Sequence, residues 1–251
     1  MTTSVAHRFD RAKLRRLWSR LHASDAEPLP DTDRLTEAWC HFHSGQFEKA
    51  VALGLALGAQ GHNVANKAAC IHASYLEPSE KQRHAVFLDV ARRAADDCGK
   101  DPHNASAHFW HGYALGRYSE GISVTKALAM GIGSKTKQAL ETSIALRPDR
   151  ADAYVALAMF HADIIDKVGA LIAHMTYGVR RDTGMALFSK ALSLSPQSPY
   201  VLVACAQGRQ MLESTGDDGG TQALYQHALR MQPADAHEAL LLALAREQAS
   251  V

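Results

Sequence analysis

The sequence is poor in the residues that build sheets and disulfide frameworks. Its 251 residues include 4 cysteines, at positions 40, 70, 98 and 205, and no Cys-x-x-Cys pair, so neither a disulfide framework nor a paired-cysteine metal site is indicated. The 12 valines and 7 isoleucines are far outnumbered by 43 alanines and 27 leucines. Because alanine and leucine favour helices and β-branched residues favour strands, the composition predicts an all-α chain.

Long apolar runs and a strong net charge are also missing. No stretch approaches the ~20 apolar residues that cross a bilayer, and the N-terminal residues lack the apolar segment of a secretory signal. The net charge of +1 at pH 7 creates no field that would attract nucleic acid. We therefore expect a soluble, cytoplasmic protein with no membrane span and no nucleic-acid partner.

The first 30 residues differ from the rest of the chain. Residues 1–20 carry six basic residues and one acidic residue, and one helical face carries Leu14, Leu17, Trp18 and Leu21. Such a basic amphipathic helix either contacts an anionic partner or caps one end of a stacked-helix fold, and the second interpretation is favoured. We expect residues 1–30 to form a capping helix and a linker, and residues 31–251 to form one helical repeat domain.

A repeated phrase then follows along the chain. Four amphipathic runs each end in a proline, at positions 102, 148, 196 and 233. Proline cannot continue a helix, so each one predicts a helix end. A small residue stands five positions before each of the last three prolines, as Ser143, Ala191 and Ala228. Spacings of 46, 48 and 37 residues between the prolines fit a helix-hairpin repeat of about 34 residues with insertions.

The segments after the prolines supply the first helix of each hairpin. A bulky residue is followed four positions later by Gly112, Ala158 or Ala206, which lets two helices approach closely. This pattern resembles the tetratricopeptide repeat (TPR), and its best matches are Tyr154, Leu157, Ala158, Phe188, Ala191 and Pro196, with Gly45, Phe47 and Ala50 in an earlier unit. The resemblance covers residues 33–249 and implies a TPR-like α-α superhelix, a solenoid of helix hairpins.

Two insertions interrupt adjacent units at the same place, between the first and second helix. They span Arg117–Lys137 and Ile164–Thr183, and both are apolar enough to form extra helical turns. Equivalent insertions in neighbouring repeats emerge from one edge, so we expect them to touch. The arrangement resembles the helical domain of the regulator of microtubule dynamics family and of the bacterial TPR proteins associated with TRAP transporters. Those families imply protein association rather than catalysis.

No motif indicates an enzyme. The 14 histidines include His108, His111 and His161, which could converge on a metal, but no His-Glu-x-x-His motif occurs and we expect these histidines to be structural. The glycines in Met130–Lys135 lack the spacing of a phosphate-binding loop and predict an ordinary helix turn. We predict a non-catalytic protein without metal or cofactor.

The candidate site is the concave groove formed by the first helices of the hairpins. By repeat position, this groove presents Phe109, Tyr113, Arg117, Asp152, Met159, Asp163, Tyr200 and Gln207. Aromatic, methionine and arginine side chains are enriched in protein interfaces. The predicted function is therefore a TPR-like scaffold that binds a protein or peptide through this groove and the two insertions.

Two alternatives stay open. The first is a small-ligand or metal-binding helical protein whose pocket near the insertions is lined by His161, Asp166, Lys167 and Tyr177. The second is self-association through the last helix, in which Leu240, Leu241, Leu242 and Leu244 cover more than half of the circumference. Burial of these leucines against the preceding hairpin would remove that surface.

Overall fold

The computed structural model describes residues 7–212 and 219–248, and within these ranges the backbone forms helices and no strand. The prediction of an all-α chain is confirmed. One 3-10 turn, Gly58–Gly61, accompanies the α-helices, which are α1 (Arg11–Leu21), α2 (Asp33–His43), α3 (Phe47–Ala56), α4 (His62–Tyr75), α5 (Glu80–Lys100), α6 (Ala105–Glu120), α7 (Val124–Ala129), α8 (Ile132–Leu146), α9 (Ala151–Val168), α10 (Ala170–Tyr177), α11 (Arg181–Leu194), α12 (Pro199–Leu212), α13 (Gly220–Leu229) and α14 (Ala236–Gln248). None of the helices described here is both long enough and apolar enough to cross a membrane.

Local sequence explains where many of these helices begin and end. Side-chain oxygens accept a hydrogen bond from the first turn of α1, α2, α5, α6 and α7, and the capping residues are Asp10, Thr32, Ser79, Asn104 and Ser123. The helices α5, α8, α11 and α13 all end shortly before the four prolines of the repeated phrase. The predicted helix ends are therefore confirmed.

The small residues of the repeated phrase lie where paired helices touch. The pairs are α2 with α3, α4 with α5, α6 with α8, α9 with α11, and α12 with α13. A Cβ atom on Gly112 would lie 2.8 Å from Cγ of Leu140, so α6 and α8 are packed too closely for a larger residue. Ser143, Ala191 and Ala228 are fully buried, and the Ser143 hydroxyl donates to the carbonyl of Ala105 over 2.8 Å.

The first helices of the pairs form an inner series. Its members contact one another in the order α2, α4, α6, α9 and α12, and α12 contacts α14. The last helix, α14, in turn contacts both α2 and α4. The inner helices therefore form a closed circuit of contacts rather than two free ends.

The leucines of α14 hold this circuit together. Leu241 and Leu242 are buried in one cluster with Leu202 and Val203 of α12, and Leu240 packs against the aromatic cluster around α2. Leu244 alone among these leucines is substantially exposed, at 40%. Most of the apolar surface on which the predicted self-association through this helix rested is therefore buried within the chain, and self-association stays a prediction.

The N-terminal residues pack against α2 and bind α14. Leu14 and Trp18 of α1 are buried in the aromatic cluster around α2, and Arg20 forms two hydrogen bonds of 2.6 and 3.0 Å with Glu238 of α14. Beyond α1, backbone carbonyls between positions 23 and 26 accept hydrogen bonds from Asp152, Ser195 and Arg147. Residues expected to form a linker therefore bind the residues that begin α9 and follow α8 and α11.

Both insertions form the expected extra helical turns, as α7 and α10. Nζ of Lys137 donates to the carbonyl of Tyr177 over 3.1 Å, and the Tyr177 ring lies directly against Gly133. The prediction that the two insertions touch is confirmed. They follow α6 and α9, so both lie beside the C-terminal ends of these two inner helices.

Candidate functional site

The inner helices surround a cavity of about 330 Å³. Residues of α4, α6, α8, α9, α12 and α14 form its wall. Six of the eight groove residues predicted from the sequence line this one cavity: Tyr113, Arg117, Met159, Asp163, Tyr200 and Gln207. Repeat position alone therefore selected side chains that share one cavity wall although they are up to 94 residues apart in sequence.

The charged groups of the cavity wall balance one another. Arg117 and Lys167 oppose Glu120 and Asp163, and Nη1 of Arg117 lies 2.9 Å from the Glu120 carboxylate. Burial, together with the nearby charge of Glu120, raises the pKa of Asp163 to about 6. The wall therefore offers charged partners of both signs.

Nε of Arg117 and Oγ1 of Thr136, both in this wall, lack a hydrogen-bond partner among the described residues, and the Thr136 side chain is almost fully buried. Burying a polar group without a partner costs about 1–3 kcal/mol. A bound molecule that offers one acceptor to Arg117 and one polar atom to Thr136 would recover that cost.

Tyrosines separate this cavity from a second, smaller one of about 60 Å³. Tyr113 and Tyr200 line both spaces, and the Tyr113 ring stacks on Phe109 with the ring centres 5.6 Å apart. Burial raises the pKa of both tyrosines, so both rings stay uncharged at neutral pH. The two rings therefore lie between the larger cavity and the smaller one, which Arg20, Leu21 and Ser24 also line.

The other two predicted groove residues face the smaller cavity. Phe109 is buried, and its ring lies under the Arg150 guanidinium at 4.6 Å. Asp152 is also buried and accepts hydrogen bonds of 3.1 and 2.8 Å from Arg150. The prediction that Phe109 and Asp152 lie in an open groove is corrected, because the residues after α1 cover this part of the inner surface.

A buried network of four hydrogen-bonded side chains lies beside the smaller cavity. Nδ1 of His22 lies 3.0 Å from Asp25, Nε2 of His22 lies 3.2 Å from Nε2 of His43, and Nδ1 of His43 lies 2.6 Å from Asp235. Nζ of Lys67 also lies 2.6 Å from the Asp25 carboxylate. These side-chain contacts join the residues after α1 to α2, α4 and the start of α14.

Hydrogen-bond counting assigns protons within this network. Burial lowers the pKa of His22 to about 4, so His22 is neutral at pH 7, donates from Nδ1 to Asp25 and accepts at Nε2. The donor to that Nε2 is His43, whose Nδ1 faces the Asp235 carboxylate. Nearby His43 holds the pKa of Asp235 well below its usual value although burial opposes this.

The sequence analysis did not predict this network. Its members come from positions 22, 25, 43 and 235, and only the His22–Asp25 spacing of three residues gave a local signal. All four side chains are at most 7% exposed, and the two imidazoles face each other rather than a nucleophile. We interpret the network as a structural contact that holds the first helices against the start of α14.

The alternative pocket does not form as one site. His161 is buried and contacts the backbone of Arg180, whereas Asp166 is exposed. Lys167 and Tyr177 line a separate space of about 30 Å³ between the insertions. This prediction is corrected, because the five residues from His161 to Asp166 turn the two side chains to different faces of α9.

The histidines with metal-ligand spacing bind backbone carbonyls instead. His108 lies 3.0 Å from the carbonyl of Pro102, and His111 lies 2.9 Å from that of Ala91. Across residues 7–212 and 219–248, no group of three His, Cys, Asp or Glu side chains is placed to hold a metal ion.

Comparison with known proteins finds no family model that matches this chain. No curated protein matches its sequence either.

Proposed function

We propose that this chain is a non-catalytic, TPR-like helical repeat protein that binds a partner peptide in its central cavity. The observation that carries the proposal is the cavity of about 330 Å³ lined by six residues that repeat position selects. Helix pairs, small residues at the contacts of the pairs and prolines after the second helices support the TPR-like interpretation.

The shape of the cavity favours the end of a peptide over an extended segment. Tyr113 and Tyr200 close its inner side, and α14 closes the gap between α12 and α2. The end of a peptide fits a space bounded on these sides better than a segment that passes through it does. The balanced charges of Arg117, Lys167, Glu120 and Asp163 suit a terminal residue with an apolar side chain and one polar end group.

A peptide selection tests this proposal. Random peptides with free N- or C-termini would be selected on the purified chain, and the affinity of the enriched peptides would be measured by calorimetry. Ala156 lines the cavity, so Ala156→Phe is expected to fill it and weaken binding by about tenfold or more. Ala12→Phe, at an exposed position of α1, is the matched control and is expected to bind as the wild type does.

The same measurements can reject the proposal. Selection that enriches no peptide, or peptides that bind Ala156→Phe as tightly as the wild type, would place binding outside the cavity or remove it.

A small molecule is the second candidate occupant. The volume of about 330 Å³ lies in the range of small-molecule pockets, and Nε of Arg117 and Oγ1 of Thr136 have no partner among the described residues. Native mass spectrometry of the purified chain is expected to show a retained molecule that Ala156→Phe loses. A mass that matches the bare chain in both proteins would count against this candidate.

A further inference from the structure

The two insertions expose an unusual amount of apolar surface. In the part of the chain that the structure describes, the three most exposed large apolar side chains are Leu171, Ile172 and Met175, at 74, 56 and 77%. All three lie on α10, and their spacing places them on one face of that helix. The opposite face, with Ala173 and Tyr177, packs inward.

The neighbouring insertion adds to the same region. Val124, Leu128 and Met130, in and just after α7, are 40–46% exposed. Val124 of α7 and Tyr177 of α10 border the same small space between the insertions. We call the six side chains Val124, Leu128, Met130, Leu171, Ile172 and Met175 the insertion surface.

The two segments that carry the insertion surface are basic. Residues 122–137 contain three lysines and no acidic residue, and residues 165–182 contain three basic and two acidic residues. These two segments therefore carry a net charge of +4 in a chain whose total is +1. Lys126 and Lys135 are both exposed.

We infer that the insertion surface docks onto an anionic lipid membrane. A bilayer interface accepts protruding aliphatic side chains without matching their shape, and binding grows with buried apolar area and with attraction to acidic headgroups. The insertion surface offers both contributions. The space between the insertions holds only about 30 Å³, and of the six side chains only Val124 lines it.

Vesicle flotation with the full chain tests this inference. Vesicles that contain phosphatidylserine in phosphatidylcholine are expected to carry the protein upward, and vesicles of phosphatidylcholine alone are expected to carry much less. Binding is expected to weaken as salt is raised, because the attraction to acidic headgroups is screened.

Variants locate the contact. Leu171→Ser combined with Met175→Ser is expected to reduce vesicle binding by roughly tenfold or more, because two aliphatic side chains no longer enter the interface. Lys126→Gln combined with Lys135→Gln is expected to reduce it less and to flatten the salt dependence. Both double variants change exposed side chains, so circular dichroism melts are expected to match the wild type.

Matched control variants separate the insertion surface from the rest of the protein surface. Leu29→Ser changes a leucine that is 52% exposed and lies outside the insertion surface, so binding is expected to stay unchanged. Arg15→Gln combined with Arg16→Gln removes two exposed charges from the basic helix α1, and the main part of the binding is expected to remain. Ala156→Phe, which fills the cavity, is expected to bind vesicles normally, so this test is separate from the test of the proposed function.

Several results would overturn the inference. They are absence of flotation with phosphatidylserine, flotation that survives Leu171→Ser with Met175→Ser, and flotation that depends on Arg15 and Arg16 instead. Light scattering that shows an oligomer dissociated by Leu171→Ser with Met175→Ser, without vesicle binding, would assign the insertion surface to a second copy of the chain.

Discussion

Glu27 is a carboxyl group in surroundings that disfavour its charge. Burial and the nearby charge of Asp25 raise its pKa to about 7, although a hydrogen bond from Asn63 partly opposes the shift. An unfolded chain holds the same carboxyl near its ordinary value of 4.5. Between pH 4.5 and 7 the folded protein therefore binds a proton at Glu27 that the unfolded chain has released, and the folded protein is destabilised as pH rises through this range.

Glu27→Gln is expected to stabilise the protein more at pH 8 than at pH 5. At pH 8 the variant removes a buried charge, with a gain on the order of 1 kcal/mol or more, and at pH 5 the wild-type carboxyl is already protonated in the folded protein. Urea unfolding of both proteins at the two pH values measures the difference.

The control for this prediction is an exposed glutamate. The Glu48 side chain is 88% exposed, so Glu48→Gln is expected to change the unfolding free energy by a similar small amount at both pH values. A gain from Glu27→Gln that is equal at pH 5 and pH 8 would contradict the assignment of a raised pKa to Glu27.

The contact between His43 and Asp235 joins α2 to the start of α14. Removing one partner of a buried pair leaves the other charge uncompensated, so His43→Leu and Asp235→Asn are each expected to cost about 3–5 kcal/mol. The double variant is expected to cost less than the sum of the two, with a coupling energy on the order of 1–3 kcal/mol. Urea unfolding of the four proteins gives this coupling.

A more exposed pair of a histidine and a carboxylate provides the comparison. His41 and Glu37 lie 4.0 Å apart, and both side chains are solvent-accessible. The cycle with His41→Leu and Glu37→Gln is expected to give a coupling of about 0–0.5 kcal/mol. Equal coupling in both cycles would show that burial does not strengthen the contact between His43 and Asp235.

At the scale of helices, the distance to neighbouring atoms determines whether a glycine of α6 leaves room for an alanine. A Cβ atom on Gly112 would meet Leu140 at 2.8 Å and the carbonyl of Thr136 at 3.1 Å, whereas a Cβ on Gly116, one turn later, would meet nothing closer than 3.8 Å. Alanine has a higher helix propensity than glycine by about 0.5–1 kcal/mol. The two positions separate that general gain from the cost of crowding.

Gly112→Ala is therefore expected to lower the unfolding free energy by about 1–3 kcal/mol, because α6 and α8 must move apart. Gly116→Ala is expected to raise it by about 0.5–1 kcal/mol. Chemical denaturation of the two variants measures both signs. Two changes of the same sign would show that the contact between α6 and α8 is not the reason for glycine at position 112.

The helices themselves could be predicted from the sequence because their signals are local. Prolines mark helix ends within a few residues, and the small residues at 112, 143, 191 and 228 repeat at a regular distance from them. The same repeat positions selected six residues of the cavity wall. These signals depend on neighbours in the chain and not on how the helices are arranged in space.

Contacts between distant segments could not be predicted in this way. Phe109 and Asp152 have groove positions in the repeat, but the residues after α1 cover them, and no pattern at positions 22–27 announces hydrogen bonds to Arg147, Asp152 and Ser195. The leucines of α14 look equally suited to a second chain or to the aromatic cluster around α2. Only the closed circuit of inner helices decides between these outcomes.

At the scale of the whole molecule, closure by α14 determines how the chain unfolds. In an open array of repeats, stability is a sum of neighbouring contacts, so the two ends unfold separately when their contacts differ. Here α14 contacts α2 and α4, and His43 and Arg20 bind Asp235 and Glu238 near its start. These contacts tie the first helix pairs to the last helix.

We therefore expect the chain to unfold in one transition. All three tryptophans, Trp18, Trp39 and Trp110, lie in the first 110 residues, so fluorescence follows the N-terminal part and far-UV circular dichroism follows every helix. The two urea curves are expected to coincide in the wild type and to separate in the double variant His43→Leu with Asp235→Asn, because this variant loosens α14 from α2. The double variant His41→Leu with Glu37→Gln is expected to keep coincident curves. Separate curves in the wild type would show that the contacts of α14 do not couple the two ends.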